Sequence, residues 1–438
     1  MERTAIARDL SKLPGQIALT VLLIFVNLLL IGPADGATYY VATNGNDSNP
    51  GTISQPFRTV GKGTSALKPG DALYLRAGTY DAIIGGWDIP AGSPGQHTMI
   101  AGYAKENPTI RCTNCGAYAI VNLGLSYITA QDFTIDGING GVDGVCAYLG
   151  SHILFTGMTC LNAPRDGLRV VGENTIIRNS HIKDCGRVQT HPLDTKGLGI
   201  HANSDGGGST TTNLLIENNL IEGCRAGGIG VQQQPETRDV IVRNNILRNF
   251  GTYSRWPQAE GSPPQSGTGI NFAHGSNFYA YNNLVYGIRG AGSDCFLAWG
   301  GGLGRPNGRY FYFYNNTCHD TETGIVMWNE TNNITARNNI FSNVDRVESL
   351  GNGAGNINMN YVTVPLFLNP AAGDFKLQSG SPGIDQGANL STLFTTDMAG
   401  VTRPQNGAFD IGAYEYIGTT ASVIMLPSSP VNVRVIGY

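Results

Sequence analysis

Short runs of β-branched and aromatic residues alternate along this chain with Gly and Asn, and the runs repeat. Ile216-Glu217-Asn218-Asn219-Leu220-Ile221 returns as Val242-Arg243-Asn244-Asn245-Ile246-Leu247 and as Ala280-Tyr281-Asn282-Asn283-Leu284-Val285. It returns again at Phe313-Tyr314-Asn315-Asn316-Thr317-Cys318 and at Ala336-Arg337-Asn338-Asn339-Ile340-Phe341. Ile177-Arg178-Asn179-Ser180-His181-Ile182 is a weaker copy, and Phe155 to Met158 and Ala130 to Phe133 are fainter ones. Counted on the first Asn position, the steps are 25, 22, 39, 26, 38, 33 and 23 residues. The short steps set a unit within the period range of solenoids, and the long ones read as that unit with inserted loops. One such unit cannot bury its own apolar face, so it must stack on the next. Asn in every coil can bond to the Asn above and below it, as in cross-β stacks. The pattern predicts an all-β chain, a right-handed parallel β-helix of about ten coils. A β-propeller is the competing architecture, but its blades need about 40–50 residues each.

Each unit holds a second strand of the form Gly-apolar-x-apolar-x. Copies begin at Gly144, Gly167, Gly199, Gly228, Gly269 and Gly324, and Cys295 to Trp299 fits with Cys for Gly. Alternation sends the apolar positions inward and the others outward. Stacking then predicts an outward stripe of Tyr148, Arg169, His201 with Asn203, Gln232, Asn271, Trp299 and Trp328. Asp143, Asp166 and Asp294 precede the Gly or Cys. Aromatic rings suit sugar faces, and amides and Arg suit hydroxyls and carboxylates. The alternative is an ordinary surface whose aromatics pack under loops. Arg165, Lys183 and Arg225 read as solvated surface charges.

Composition narrows the compartment more than the chemistry. The chain has 438 residues, 60 of them Gly, with 14% charged residues and a net charge of −4. No basic face argues for nucleic acid. Arg3, Arg8 and Lys12 precede an apolar run from Ile17 to Ile31, and small residues follow to Ala37. That is the form of a secretory signal, too short for an ordinary membrane span; an uncleaved N-terminal anchor is the alternative. The chain is therefore expected to be secreted or displayed at the surface of a bacterial cell. Cys185 and Cys224 lie at equivalent positions of adjacent units, which places them for a disulfide or for two small members of a core column. Cys112 and Cys115 have CxxC spacing, but no second pair makes a zinc site of it. Asn44 to Gly51, with Asp47, reads as a surface loop rather than a calcium site. Phe57 to Leu67 predicts a short helix over the open end of the solenoid.

Tyr39 to Thr52, Gln55-Pro56-Phe57 and Leu67 to Tyr80 together resemble the N-terminal coil of secreted pectate-lyase-like β-helix proteins, the superfamily of pectate, alginate and chondroitin lyases. With the repeats, the resemblance covers residues 38–370. It implies a polysaccharide partner, Lys or Arg bases, and often Asp-bound calcium. No catalytic motif of the superfamily is matched residue by residue. The stretch from Asp374 to Tyr416 resembles a C-terminal element of secreted bacterial β-helix proteins that is sometimes associated with surface anchoring. The expected division is a signal peptide at 1–37, the β-helix at 38–370, a cap or anchor-like element at 371–417 that closes the C-terminal end, and a tail at 418–438. A monomer is expected.

The densest chemistry is Asp143, Asp166, Arg169, His201 and Lys196. Elimination from a uronate needs a base for the proton beside the carboxylate and a cation to hold that carboxylate. Arg169 as clamp, with His201 or Lys196 as base, satisfies both. Asp143 and Asp166 could ligate calcium or cap turns before Gly. A glycoside hydrolase would need two carboxylates about 5–9.5 Å apart. The consecutive Asp pair and the Gly-His-Gly motif of β-helix polygalacturonases are absent. The third reading is a surface or adhesin-like β-helix that binds glycans without cleaving them.

Overall fold

A computed structural model describes residues 36–418 apart from 87, 114–118, 142–143, 188–196, 204–210, 233–236, 251–266, 291, 301–308, 329–331 and 351–356. The signal-like segment, the tail, Asp143, Lys196 and most of the two inserted loops lie outside the described residues.

The chain winds through three sets of parallel strands. A front set runs through Val145–Leu149, Leu168–Val170, Leu198–Asn203, Gly227–Gln232, Thr268–Ala273 and Asp294–Trp299. A side set runs through Ile153–Thr156, Ile176–Arg178, Thr212–Glu217, Arg238–Arg243, Ser276–Tyr281 and Arg309–Tyr314. A back set runs through Thr159–Leu161, His181–Lys183, Leu220–Glu222, Ile246–Arg248 and Leu284–Tyr286. Every strand pairs with its counterpart one coil on, so the fold is the right-handed parallel β-helix that the repeat predicts. Inward residues of all three sets form one continuous core, including Leu168, Ile200, Ile229, Ile270 and Phe296 from the front.

The Asn-Asn doublet turns the corner between the side and back sets, and its two members do different work. The first Asn takes the left-handed conformation, with φ of 54°, 55°, 53°, 47° and 58° at Asn218, Asn244, Asn282, Asn315 and Asn338. Asn tolerates that region better than most L-residues. The second Asn turns inward and builds a ladder. Asn219, Asn245, Asn283 and Asn316 each donate a backbone N–H and a side-chain Nδ2–H to the Oδ1 of the next Asn, all at 3.0 Å, ending on Asn339. These side chains are buried, so the ladder supplies the partners that burial requires.

The N-terminal helix Val60–Ala66 is capped by Thr59, whose Oγ1 accepts from the Lys62 amide at 3.2 Å. Gly63 lies against Val41 and Leu73, where a Cβ would come within 2.6 Å of Val41. Asp47 accepts from the Arg58 and Thr59 amides and the Thr59 hydroxyl, which makes it a loop brace.

The C-terminal element differs from the expected end cap, because its contacts run along the flank of the last coils. The left-handed Asn side chains point outward and hold it: Asn282 donates to Thr396 O at 2.9 Å, Asn315 to Asp410 O at 2.7 Å, and Asn338 to Ala388 O at 2.9 Å. Leu390, Phe394 and Phe409 join a second apolar cluster with the outward-facing Ile241, Tyr279 and Tyr281. The element has its own buried ion pair, Arg403 to Glu415 at 2.7 Å.

Of the two readings of Cys185 and Cys224, the structure shows the core column. Cys185 and Cys224 are buried free thiols, and burial pushes the Cys185 thiol up. Among the described residues, disulfides join Cys146 to Cys160 and Cys295 to Cys318, each tying a front strand to a back strand.

Candidate active site

The register resolves the outward stripe into two columns, two residues apart on the front strands. One column reads Asn122, Tyr148, Arg169, His201, Gly230, Asn271, Leu297 and Val326. The other pairs Asn203 with Gln232, and Ala273 with Trp299 and Trp328. The single predicted stripe therefore splits. Tyr148, Arg169, His201 and Asn271 share a line, whereas Asn203, Gln232, Trp299 and Trp328 belong beside it. Trp299 is half-buried, with the His274 ring 4.9 Å from its own.

The first column carries the chemistry. Arg169 and His201 are direct register partners, 4% and 8% exposed. Behind them Asp166 is fully buried and accepts three hydrogen bonds. One oxygen accepts from the Gly197 and Leu198 amides at 2.9 and 3.0 Å. The other meets His201 Nδ1 at 3.0 Å and Arg165 Nε at 3.3 Å. Burial alone would push the Asp166 carboxyl up. His201, the Gly197 amide and Arg165 outweigh it and hold the carboxyl well below the usual carboxylate range. An ionised carboxylate only accepts, so Nδ1 of His201 carries the proton. Nε2 is buried without a hydrogen-bond partner. Asp166 thus fixes the ring angle of His201 and keeps a proton on its Nδ1.

Two expectations change here. Ala147 pairs with Leu168, which puts Val145 rather than Asp143 at the level of Asp166. Asp166 accepts from the Gly197 and Leu198 amides and from His201 Nδ1. Among the described residues no group of three or more His, Cys, Asp or Glu is placed to hold a metal. Arg165, read as a solvated charge, is drawn in to Asp166, and Arg225 is buried. The Asp–His pairing was invisible in the sequence because the two residues are 35 apart and their contact depends on the length of an inserted loop.

Residues 39–229 match the family model described as Pel9A-like, right handed beta helix region. The crystal structure of pectate lyase Pel9A is 17% identical to this chain, covers 87% of it and 96% of itself, and superposes with a TM-score of 0.58. A structure titled glycoside hydrolase is 9% identical, with coverages of 75% and 96% and a TM-score of 0.55. This chain has the pectate-lyase-like right-handed β-helix fold. A curated relative, the uncharacterized protein YwoF of Bacillus subtilis strain 168, is 33% identical over 76 residues. That match spans 17% of this chain and 16% of YwoF.

A second acid sits further along the same face of this pectate-lyase-like β-helix. Asp294 lies in register with Thr268 and Thr323, and Thr268 Oγ1 is 3.1 Å from both of its oxygens. Burial pushes Asp294 up to about 8, the Thr268 hydroxyl working against it and Glu322 reinforcing it. Its folded-state value is raised, so between the ordinary 3.8 and about 8 the native protein holds a proton that the unfolded chain has lost. Stability from this group is complete below the ordinary value and drains away as pH rises toward 8, with a limiting slope of about 1.4 kcal/mol per pH unit. Asp294→Asn is expected to flatten that slope, which urea midpoints at a series of pH values between those limits will measure.

Proposed function

We propose that this protein is an exported enzyme that cleaves a uronate-containing polysaccharide by β-elimination on the outer face of its front sheet. One observation carries the reading. A histidine whose Nδ1 proton is held by a buried carboxylate, with its Nε2 unsatisfied, stands in register beside an arginine. His201 Nε2 takes the proton from the carbon beside the uronate carboxylate, and Arg169 pairs with the carboxylate as negative charge develops on it. The electron pair of the broken C–H bond forms the new double bond as the glycosidic C–O bond breaks. The departing oxygen takes up a proton, for which Tyr148 supplies the hydroxyl of the column. The half-buried Trp299 suits a sugar face. The similarity to a pectate lyase and to a glycoside hydrolase supports a glycan substrate.

Hydrolysis is the less favoured chemistry. It needs two carboxylates facing the substrate, and Asp166 faces the protein. The test is to incubate the purified chain with pectate, alginate and chondroitin, with and without calcium. Ultraviolet absorbance of the conjugated double bond then follows the unsaturated uronates formed. A rise with one polymer supports elimination. Tight binding of a polymer with no product would move the protein to a non-catalytic, adhesin-like role.

A further inference from the structure

The corner between the front and side sets is a second column of left-handed residues. Asn174, Asn213, Asp239, Asn277 and Asn333 take φ of 55°, 52°, 57°, 59° and 60° there. Stacking lets Asn213 donate to Asn174 at 3.1 Å and Asn277 to Asp239 at 2.9 Å. Tyr310 occupies the same column between Asn277 and Asn333, with φ of 61°. A short polar side chain tolerates that region, whereas a bulky one is out of place in it. Tyr127 is the other tyrosine of the column, with φ of 60°, and its ring is packed: it stacks on His152 at 4.3 Å and meets His97 edge-on at 5.7 Å. Tyr310 differs, being 42% exposed, and among the described residues no ring stacks on it. Backbone strain that packing does not offset marks a candidate functional position.

The surroundings of Tyr310 indicate the ligand. Phe311 and Phe313 point into the core, so Tyr312 faces outward, as the exposed Tyr310 does. Tyr312 is half-buried, and its ring lies 4.6 Å from that of Tyr279, its partner one coil back, 14° from parallel. Next on the strand, Tyr314 is buried in one cluster with Leu390 and Phe394 of the C-terminal element. The strand therefore carries aromatic surface that is open at Tyr310 and bordered by that element at Tyr314. Arg309, the residue before Tyr310, is exposed, and among the described residues it has no ion pair. Its counterpart two coils back, Arg238, lies 3.4 Å from Asp239. A phenol ring offers an apolar face with a polar tip, which suits a pyranose ring, and a guanidinium forks onto a carboxylate.

We infer that Arg309, Tyr310 and Tyr312 form a second glycan-binding site, on the side sheet, for a uronate-bearing polymer. A sugar ring stacks on the exposed face of Tyr310 beside Tyr312, and its carboxylate pairs with Arg309. The choice of an acidic sugar rests on the elimination reading. The site is separate from the His201 column, because it lies on another sheet and three coils further on, about 14 Å along the axis. It holds the polymer to the protein and takes no part in cleavage.

The experiment is affinity electrophoresis of the full chain in gels containing pectate, alginate or chondroitin, with neutral dextran as the control. The parent protein carries His201→Ala, so that polymer is held and not consumed. It should be retarded by at least one acidic polymer and not by dextran. Tyr310→Asn should weaken that binding roughly five-fold, and Arg309→Ala roughly two- to five-fold, with the larger effect at low salt. Tyr310→Asn also restores the residue type of the corner, so its melting temperature should equal or exceed that of the parent, which a packing role would not allow. Parental retardation in the folded double variant overturns the inference, as does equal retardation by dextran, retardation by no polymer, or a lowered melting temperature in Tyr310→Asn. A dimer in light scattering that Tyr310→Asn dissociates would assign the patch to a second copy of the chain and overturn it as well. Product assays on the same side-sheet variants with His201 intact keep the two ideas apart. Variant-sensitive retardation without unsaturated product leaves the site standing and removes elimination, whereas unsaturated product with unchanged retardation in the double variant does the reverse.

Discussion

Replacing His201 by alanine is expected to lower kcat on the cleaved polymer by roughly 10²–10⁴-fold and to move the melting temperature little. In the proposed reaction the imidazole is the base, and to the fold it contributes one hydrogen bond. Without the ring, Asp166 keeps the Gly197 and Leu198 amides and Arg165 as partners. No unpaired buried charge results, and the stability cost stays near about 1–2 kcal/mol. Asp166→Asn is the informative companion. It leaves the imidazole in place but removes the acceptor that keeps the proton on Nδ1, so kcat should fall with the substrate affinity retained. Steady-state kinetics and a pH–rate profile of the two variants distinguish a positioning carboxylate from a purely structural one. Full activity in folded His201→Ala would remove the histidine from the mechanism.

Asn283→Leu is expected to be the most destabilising single change in the ladder, by about 3–5 kcal/mol. The Asn283 side chain accepts from both the amide and the Nδ2 of Asn245, and donates to Val242 O, Tyr281 O and Asn316 Oδ1. Leucine fits an apolar core by size, yet it leaves a buried backbone amide and two carbonyls short of partners. It also breaks the ladder between Asn245 and Asn316, so the effect spreads to both neighbouring coils. Urea denaturation followed by circular dichroism measures the loss. Asn282, one residue earlier, offers the contrast. Its side chain makes one described hydrogen bond, to Thr396 O, and its conformation suits glycine, so Asn282→Gly should cost about 1 kcal/mol. Equal costs at the two positions would mean that the ladder is not a principal source of stability.

These two residues show how unevenly the sequence discloses the molecule. The doublet announces both the repeat and the fold, because a left-handed corner and an inward ladder each favour Asn and recur in every coil. The front strands are less legible. The pattern Gly-apolar-x-apolar-x has two outward positions, and only register says which residues of successive coils are neighbours. Counting from Gly144 therefore placed Asp143 level with Asp166, whereas Cys146 is the true counterpart of Gly167, since Ala147 pairs with Leu168. The same ambiguity merged Asn271 with Trp299, which lie in separate columns. Tyr148, Arg169 and His201 were grouped correctly because each stands outward by simple alternation. Asp166 was visible as a residue but not as the partner of His201, and Cys146 and Cys160 lie on strands of different sets whose contact no spacing rule foretells. The flank position of the C-terminal element was hidden for a similar reason. Its partners are side chains of Asn282, Asn315 and Asn338, which the repeat alone assigns to turns.

Elimination is the central claim, and cleavage in heavy-oxygen water tests it most directly. Products of the susceptible polymer would be analysed by mass spectrometry after digestion in that solvent. Elimination breaks the C–O bond without adding water, so the account predicts unsaturated non-reducing ends and no heavy oxygen fixed in the freshly formed chain ends at the moment of cleavage. Saturated non-reducing ends, with one heavy oxygen at each new reducing end, would mean hydrolysis and would contradict the assignment of His201 and Arg169 as base and clamp.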